Sequence, residues 1–112
     1  MVTIYHNPRC SKSRETLKLL EERGLAPRVV EYLKTPPTEA ELVRILALLG
    51  KSPRDLLRRK EAAEAGIDPD ALADAALIAA MVAHPAVIER PIVVAEGKAA
   101  VGRPPEAVLA IL

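Results

Sequence analysis

Apolar residues along this chain fall in short β-branched runs in some stretches and at one-face helical spacing in others. Val2 to Tyr5 is a short β-branched and aromatic run, which predicts a strand. His6-Asn7-Pro8-Arg9-Cys10 interrupts it as a polar turn. From Ser11 to Arg23 the spacing is helical, with Leu17 and Leu20 on one side and Gly24 as the stop. Arg28 to Leu33, with Val29, Val30 and Tyr32, predicts a second strand. A short linking helix between two strands favours parallel pairing.

Lys34-Thr35-Pro36-Pro37 breaks this rhythm. Thr38 with Glu41 three residues on predicts a capping box, followed by a helix with Leu42, Ile45, Leu46 and Leu49 on one face and Gly50 at its end. Ser52-Pro53 starts another predicted helix, carrying Leu56, Leu57, Arg58 and Arg59. Lys60 to Asp70 is ambiguous. A further helix runs to Ala83 from near Asp68 or near Asp74, and His84-Pro85 closes it. Residues 36–85 thus read as an all-helical block. Ile92 to Ala95 predicts a strand, Glu96-Gly97-Lys98 a tight turn, and Ala99 to Val101 an antiparallel return. Pro104-Pro105 opens a last helix with Val108 and Ile111 facing inward. The order βαβ, helical block, ββα is similar to an α/β, thioredoxin-like fold with a mixed four-stranded sheet and a helical insertion.

At 112 residues the chain is expected to form one domain, 1–112. With Tyr5 and Tyr32 as the only aromatics, Leu, Ile, Val and Ala must fill the core. Sixteen Lys+Arg against 15 Asp+Glu leave a net charge of +1, so no global basic field recruits nucleic acid. The stacking aromatics of a single-strand binder are missing too. No apolar run approaches the length of a membrane span, and the first residues do not read as a signal peptide. Cys10 is the only cysteine, which excludes an internal disulfide and a Cys-rich zinc site and points to the reducing cytoplasm. Two histidines this far apart make a poor metal site.

Cys10 sits between a strand and the first turn of a helix, where unpaired N–H groups and the positive helix end face it. With cations nearby, such a position lowers a thiol pKa to roughly 3.5–7.5. Arg9, Lys12 and Arg14 flank it and His6 lies four residues before. The competing reading is a buried, inert cysteine, and the polar, basic surroundings argue against it. Ser13 occupies the place a second thiol has in a Cys-x-x-Cys pair, so a dithiol mechanism is excluded. The cysteine phosphatase loop is excluded as well. It needs Arg six residues after Cys, where Thr16 stands; the Arg here is four residues on, Arg14.

The stretch from His6 to Arg14 fits His-x3-Cys-x3-Arg and resembles the active loop of the glutaredoxin-coupled arsenate reductase family. Pro36-Pro37, Leu56-Leu57-Arg58, His84-Pro85, Glu89-Arg90-Pro91-Ile92-Val93-Val94 and Gly102-Arg103-Pro104-Pro105-Glu106 are similar to that family's landmarks, in the same order. The resemblance implies a thioredoxin-like fold and reduction of arsenate to arsenite. It implies Cys10 as the nucleophile, Arg58, Arg90 and Arg103 as the oxyanion-binding arginines, and His6 and Arg14 as residues that tune the thiolate and its loop. Glutathione is the implied co-substrate and glutaredoxin the partner. No tightly bound cofactor is implied, and a monomer is expected.

Residue chemistry supports the arginines separately, because a guanidinium offers an always-charged planar fork to an oxyanion. Arg90 and Arg103 each precede a proline at the start of an element, a loop position where sites are commonly built. Spacing does not separate Arg58 from Arg59, Arg54 or Lys60; the resemblance alone selects it. Pro91 is a candidate cis proline beside Cys10. His84, Thr38, Glu41, Ser52 and Asp55 read as helix-end groups with no catalytic role. Two other readings stand beside the reductase. One is a regulatory or binding module like the Spx-type regulators, whose members often carry the Cys-x-x-Cys that Ser13 breaks here. The other is a paralogue reductase acting on another oxyanion or an oxidised thiol.

Overall fold

The computed structural model describes all 112 residues. Its contacts divide the chain into two units, one of Met1–Thr35 with Arg90–Leu112 and one of Pro36–Glu89.

The first unit is a four-stranded sheet built from β1 (Val2–His6), β2 (Arg28–Glu31), β3 (Ile92–Ala95) and β4 (Lys98–Val101), in the order β2-β1-β3-β4. β1 pairs parallel with β2, through Ile4 opposite Val29, and antiparallel with β3, through Ile4 opposite Val93. β-branched residues in each of the first three strands suit this pleated surface. Successive side chains alternate faces, so Val2, Ile4 and His6 share one face of β1. On that face Ile4, Val93, Leu20 of helix α1 (Ser11–Glu22) and Val108 form a fully buried cluster. The β3–β4 hairpin turns on Glu96 and Gly97, with φ of 47° and 76°. Two positive φ values in a two-residue loop match the twist of the flanking strands, and glycine takes the second at little cost. This mixed sheet with its linking helix is thioredoxin-like.

The chain ends in a 3-10 helix, Pro105–Ile111. Its inward residues are Pro105 and Val108, both buried, and Ile111, packed on the core cluster. A spacing of three fits the three residues per turn of a 3-10 helix.

The second unit is helical. Helix α2 (Glu39–Leu49) begins with the Thr38 box: Glu41 N–H donates to Thr38 Oγ1, and Thr38 N–H donates to Glu41 Oε1, each at 3.1 Å. Gly50 caps its end. The predicted helix from Ser52 to Arg59 does not form as one element. A single 3-10 turn covers Pro53–Leu56, then Leu57 and Arg58 become extended, and α3 (Arg59–Glu64) follows. Tertiary hydrogen bonds replace helical ones there: Arg58 N–H donates to Val87 O at 2.7 Å and Glu89 N–H to Leu56 O at 2.8 Å. This bridge, with Leu57 opposite Ile88, lets the consecutive Leu56 and Leu57 both be buried. Helix α4 (Asp74–Ala83) takes the later of the two expected starts, and His84 is its C-terminal cap. No helix is long and apolar enough to cross a membrane.

Candidate active site

β1 ends at His6, and the chain reverses through Asn7–Arg9 into α1, with Cys10 as the N-cap in extended geometry. Several bonds fix this loop. Cys10 N–H donates to Asn7 O and Arg14 N–H to Cys10 O, both at 3.0 Å. Asn7 Oδ1 accepts from Arg9 N–H at 3.0 Å, which closes an Asx turn. Beneath the loop Ser13, fully buried on the first turn of α1, accepts from Asn7 N–H at 3.0 Å. Its Oγ also lies 2.6 Å from Nδ1 of the buried His6. Burial holds the His6 pKa below its ordinary value; Glu31 opposes this and Arg14 adds to it. A neutral ring can accept the Ser13 hydroxyl proton at Nδ1, so Ser13 is satisfied in both directions.

Arg14 supports the loop from outside, its Nη1 donating to Pro8 O at 3.1 Å. His6 and Arg14 therefore act on the loop that carries the thiol. The groups that reach the sulfur are others.

Cys10 is partly exposed. Burial pushes its thiol pKa up, but the opposing causes prevail and the net displacement is downward. These are the Ser13 N–H, the hydrogen bond and charge of the Arg90 guanidinium, and the Lys12 N–H. The N–H groups are orphan donors of the first helical turn, and they stabilise a thiolate at the N-cap. Arg103 is the second cation: its Nη2 lies 3.5 Å from Cys10 Sγ, and its Nε donates to Arg90 O at 2.7 Å. The Arg90–Pro91 and Arg103–Pro104 bonds are both cis. Cys10, Arg90 and Arg103 come together from a helix start, the start of β3 and the loop after β4. A thiolate beside two guanidinium forks can attack an electrophilic centre whose anionic oxygens those forks hold.

Arg58 belongs to the second unit and caps α3. Its Nη1 donates to Glu89 at 2.7 Å and its Nε to Glu61 at 3.1 Å. Burial lowers its pKa, but hydrogen bonds and charge from Glu89 and Glu61 raise it on balance. Arg54, one of its neighbours in sequence, is a structural strut, bonded to Asp74 and to the carbonyls of Leu72 and Pro69. Arg59 is exposed. Asn7 and the hydroxyl role of Ser13 were not legible as loop-holding groups. The Asn-Pro step hinted at Asn7, whereas nothing short of the fold pairs Ser13 with His6.

The ArsC family model matches residues 5–111. The uncharacterised Escherichia coli protein YfgD is 56% identical, covering 99% of this chain and 96% of its own length. An arsenate reductase of Neisseria meningitidis is 54% identical over 99% of this chain and 97% of its own. The solved structure of an arsenate reductase from Vibrio cholerae superposes with a TM-score of 0.94 at 54% identity, covering 99% of this chain and 97% of that one. A match that runs through the Cys10 loop, the Arg90 segment and the Arg103 segment alike makes this chain a member of the ArsC family.

Proposed function

We propose that this protein reduces arsenate to arsenite, with glutathione and glutaredoxin as the source of electrons. The observation that carries the reading is the N-cap thiol of Cys10 with two guanidiniums on it, Arg90 by hydrogen bond and Arg103 at 3.5 Å. Relatives named arsenate reductase at 54% identity support the choice of oxyanion.

The thiolate attacks arsenic(V), an As–S bond forms, and a hydroxyl leaves with a proton as water. Arg90 and Arg103 hold the arsenate oxygens and neutralise their charge, which would otherwise repel the thiolate. Glutathione thiolate then attacks the sulfur. The As–S pair of electrons passes to arsenic, which becomes arsenic(III) and departs as arsenite. Cys10 is left as a mixed disulfide with glutathione. Glutaredoxin thiolate takes the glutathionyl group and restores the Cys10 thiolate by exchange. A cytosolic setting, where thiols stay reduced, suits this cycle. Arg58 joins the reading as a third oxyanion ligand through the family motif alone.

The test is arsenite release in the presence of arsenate, glutathione and glutaredoxin, with each thiol source omitted in turn. Cys10→Ser should abolish turnover while leaving the fold intact, because serine is not ionised near neutral pH. Arg58→Ala should cost about 1.5–3 kcal/mol of transition-state binding, as for a lost charged hydrogen bond, with Arg59→Ala silent. Arsenate reduction by Cys10→Ser would overturn the mechanism, and equal effects at Arg58 and Arg59 would remove Arg58 from the site.

A further inference from the structure

The two arginines that reach Cys10 are tied to each other through the main chain around Gly102. Gly102 N–H donates to Pro91 O at 2.9 Å, and one residue further on Arg103 Nε donates to Arg90 O at 2.7 Å. The backbone of the β4 exit thus lies against the backbone that leads into β3. On its other side lies α1. A side chain at Gly102 has no room: a Cβ there would stand 2.5 Å from Thr16 Oγ1, 3.2 Å from Thr16 Cγ2 and 2.8 Å from Pro91 Cγ. Thr16 cannot simply rotate away, because it is fully buried and its Oγ1 donates to Lys12 O at 2.8 Å. Pro91 is also fully buried. The φ of Gly102 is not of the kind that demands glycine, unlike those of the other four glycines. Space, not backbone torsion, is what requires glycine here.

We propose that Gly102, packed against Thr16 and Pro91, is the positioning residue that sets both Arg90 and Arg103 on the Cys10 sulfur. Its missing side chain lets the β4 exit close on the Pro91 backbone and on the Thr16 side chain of α1, and each segment bears one member of the site: Cys10 is the N-cap of α1, Pro91 follows Arg90, and Arg103 follows Gly102. Any methyl at this point must push Thr16 and Pro91 away, and the guanidinium of Arg103 stands only one residue from the wedge. Small displacements matter, because a charged hydrogen bond weakens steeply with distance and angle. The substrate arm of this inference rests on the reductase reading; the thiol arm does not.

The test is Gly102→Ala, alone and combined with Thr16→Ala, followed by thermal unfolding, titration of the Cys10 thiolate by its ultraviolet absorbance, and arsenate kinetics. Folded Gly102→Ala should show a thiol pKa higher by about half a unit or more, since displaced cations favour the thiolate less. Its KM for arsenate should rise roughly three- to tenfold with a smaller change in kcat, a partial loss of charged hydrogen bonding. The double variant should recover about half of both effects, because the two Thr16 contacts are gone and the Pro91 contact remains. A folded Gly102→Ala protein with the wild-type thiol pKa and KM would overturn the inference, as would a double variant that recovers nothing. If Gly102→Ala alone does not fold, the double variant decides. Restored folding with a thiol pKa still above wild type supports the inference; a chain that stays unfolded, or that titrates like wild type, overturns it. A wild-type protein that releases no arsenite would refute the reductase reading and leave the thiol arm to be judged on its own.

Discussion

A thiol at a helix start gains from N–H groups that have no partner in the first turn, and Cys10 meets two of them, from Lys12 and Ser13. Burial works against ionisation at the same atom, and the Ser13 N–H and then the Arg90 guanidinium oppose it. Arg90 and Arg103 are the cations in reach. Arg90→Ala and Arg103→Ala should each raise the Cys10 pKa, measured by thiolate absorbance against the same chain unfolded in urea. Arg14→Ala should raise it less, because that guanidinium is held at the Pro8 carbonyl and is not among the groups on the sulfur. A larger shift from Arg14 than from either of the other two would refute this division of roles. His6 gives a separate, acid-side signature. Its folded pKa lies below its unfolded value of about 6.5. Between the two values the unfolded chain binds more protons, so stability is lost as pH falls from about 6.5 through the folded pKa. Denaturation by urea at several pH values should show this slope in the wild type and a shallower one in His6→Gln. Parallel slopes would mean that His6 keeps its ordinary proton affinity and that the Ser13 contact does not depend on a neutral ring.

Helix α2 shows what a short sequence signal is worth. Its reciprocal Thr38–Glu41 bonds were legible from the Thr-x-x-Glu spacing, and Thr38→Ala should cost about 1 kcal/mol in chemical denaturation, the usual value of such a cap. Arg54→Ala should cost more, about 1–2 kcal/mol, since it releases bonds to Asp74, Leu72 and Pro69 together. An Arg54→Ala loss smaller than that of Thr38→Ala would show the strut to be dispensable. The strands, α1, α2 and α4 could be read because each has local periodicity and a local stop. The segment from Pro53 to Glu64 could not. Its two buried leucines are satisfied by an extended bridge to Ile88, a partner 31 residues beyond Leu57 in sequence, and no local pattern announces that. The terminal 3-10 helix had its signal in plain view, inward residues at 105, 108 and 111, but a proline pair followed by apolar residues fits an α-helix equally well. In the site, the position of Cys10 was legible from a strand, a polar turn and a helix start. The Gly102 packing was not, because it depends on three segments that meet only in the fold.

With a net charge of +1 the molecule has no long-range field to gather oxyanions, so any selectivity must come from contacts at short range around Cys10. The same molecule holds a single sulfur nucleophile. Two electrons delivered through it leave an oxidised cysteine that no second thiol of the chain can reduce. The oxidised protein must then be a mixed disulfide with a small thiol, a sulfenic acid or an intermolecular dimer. Under the proposed mechanism, arsenate with glutathione gives the first of these, seen by intact-mass measurement as a gain of about one glutathione at Cys10. Glutaredoxin should remove it by thiol–disulfide exchange and restore turnover. Thioredoxin alone, with no glutathione present, should sustain little turnover, since the step that releases arsenite then lacks its attacking thiol. Robust multiple turnover under that condition would contradict the external-thiol scheme. Glutathionylation that forms equally well without any oxyanion would replace it with a redox-sensing role, because the sulfur would then be oxidised by something other than arsenic.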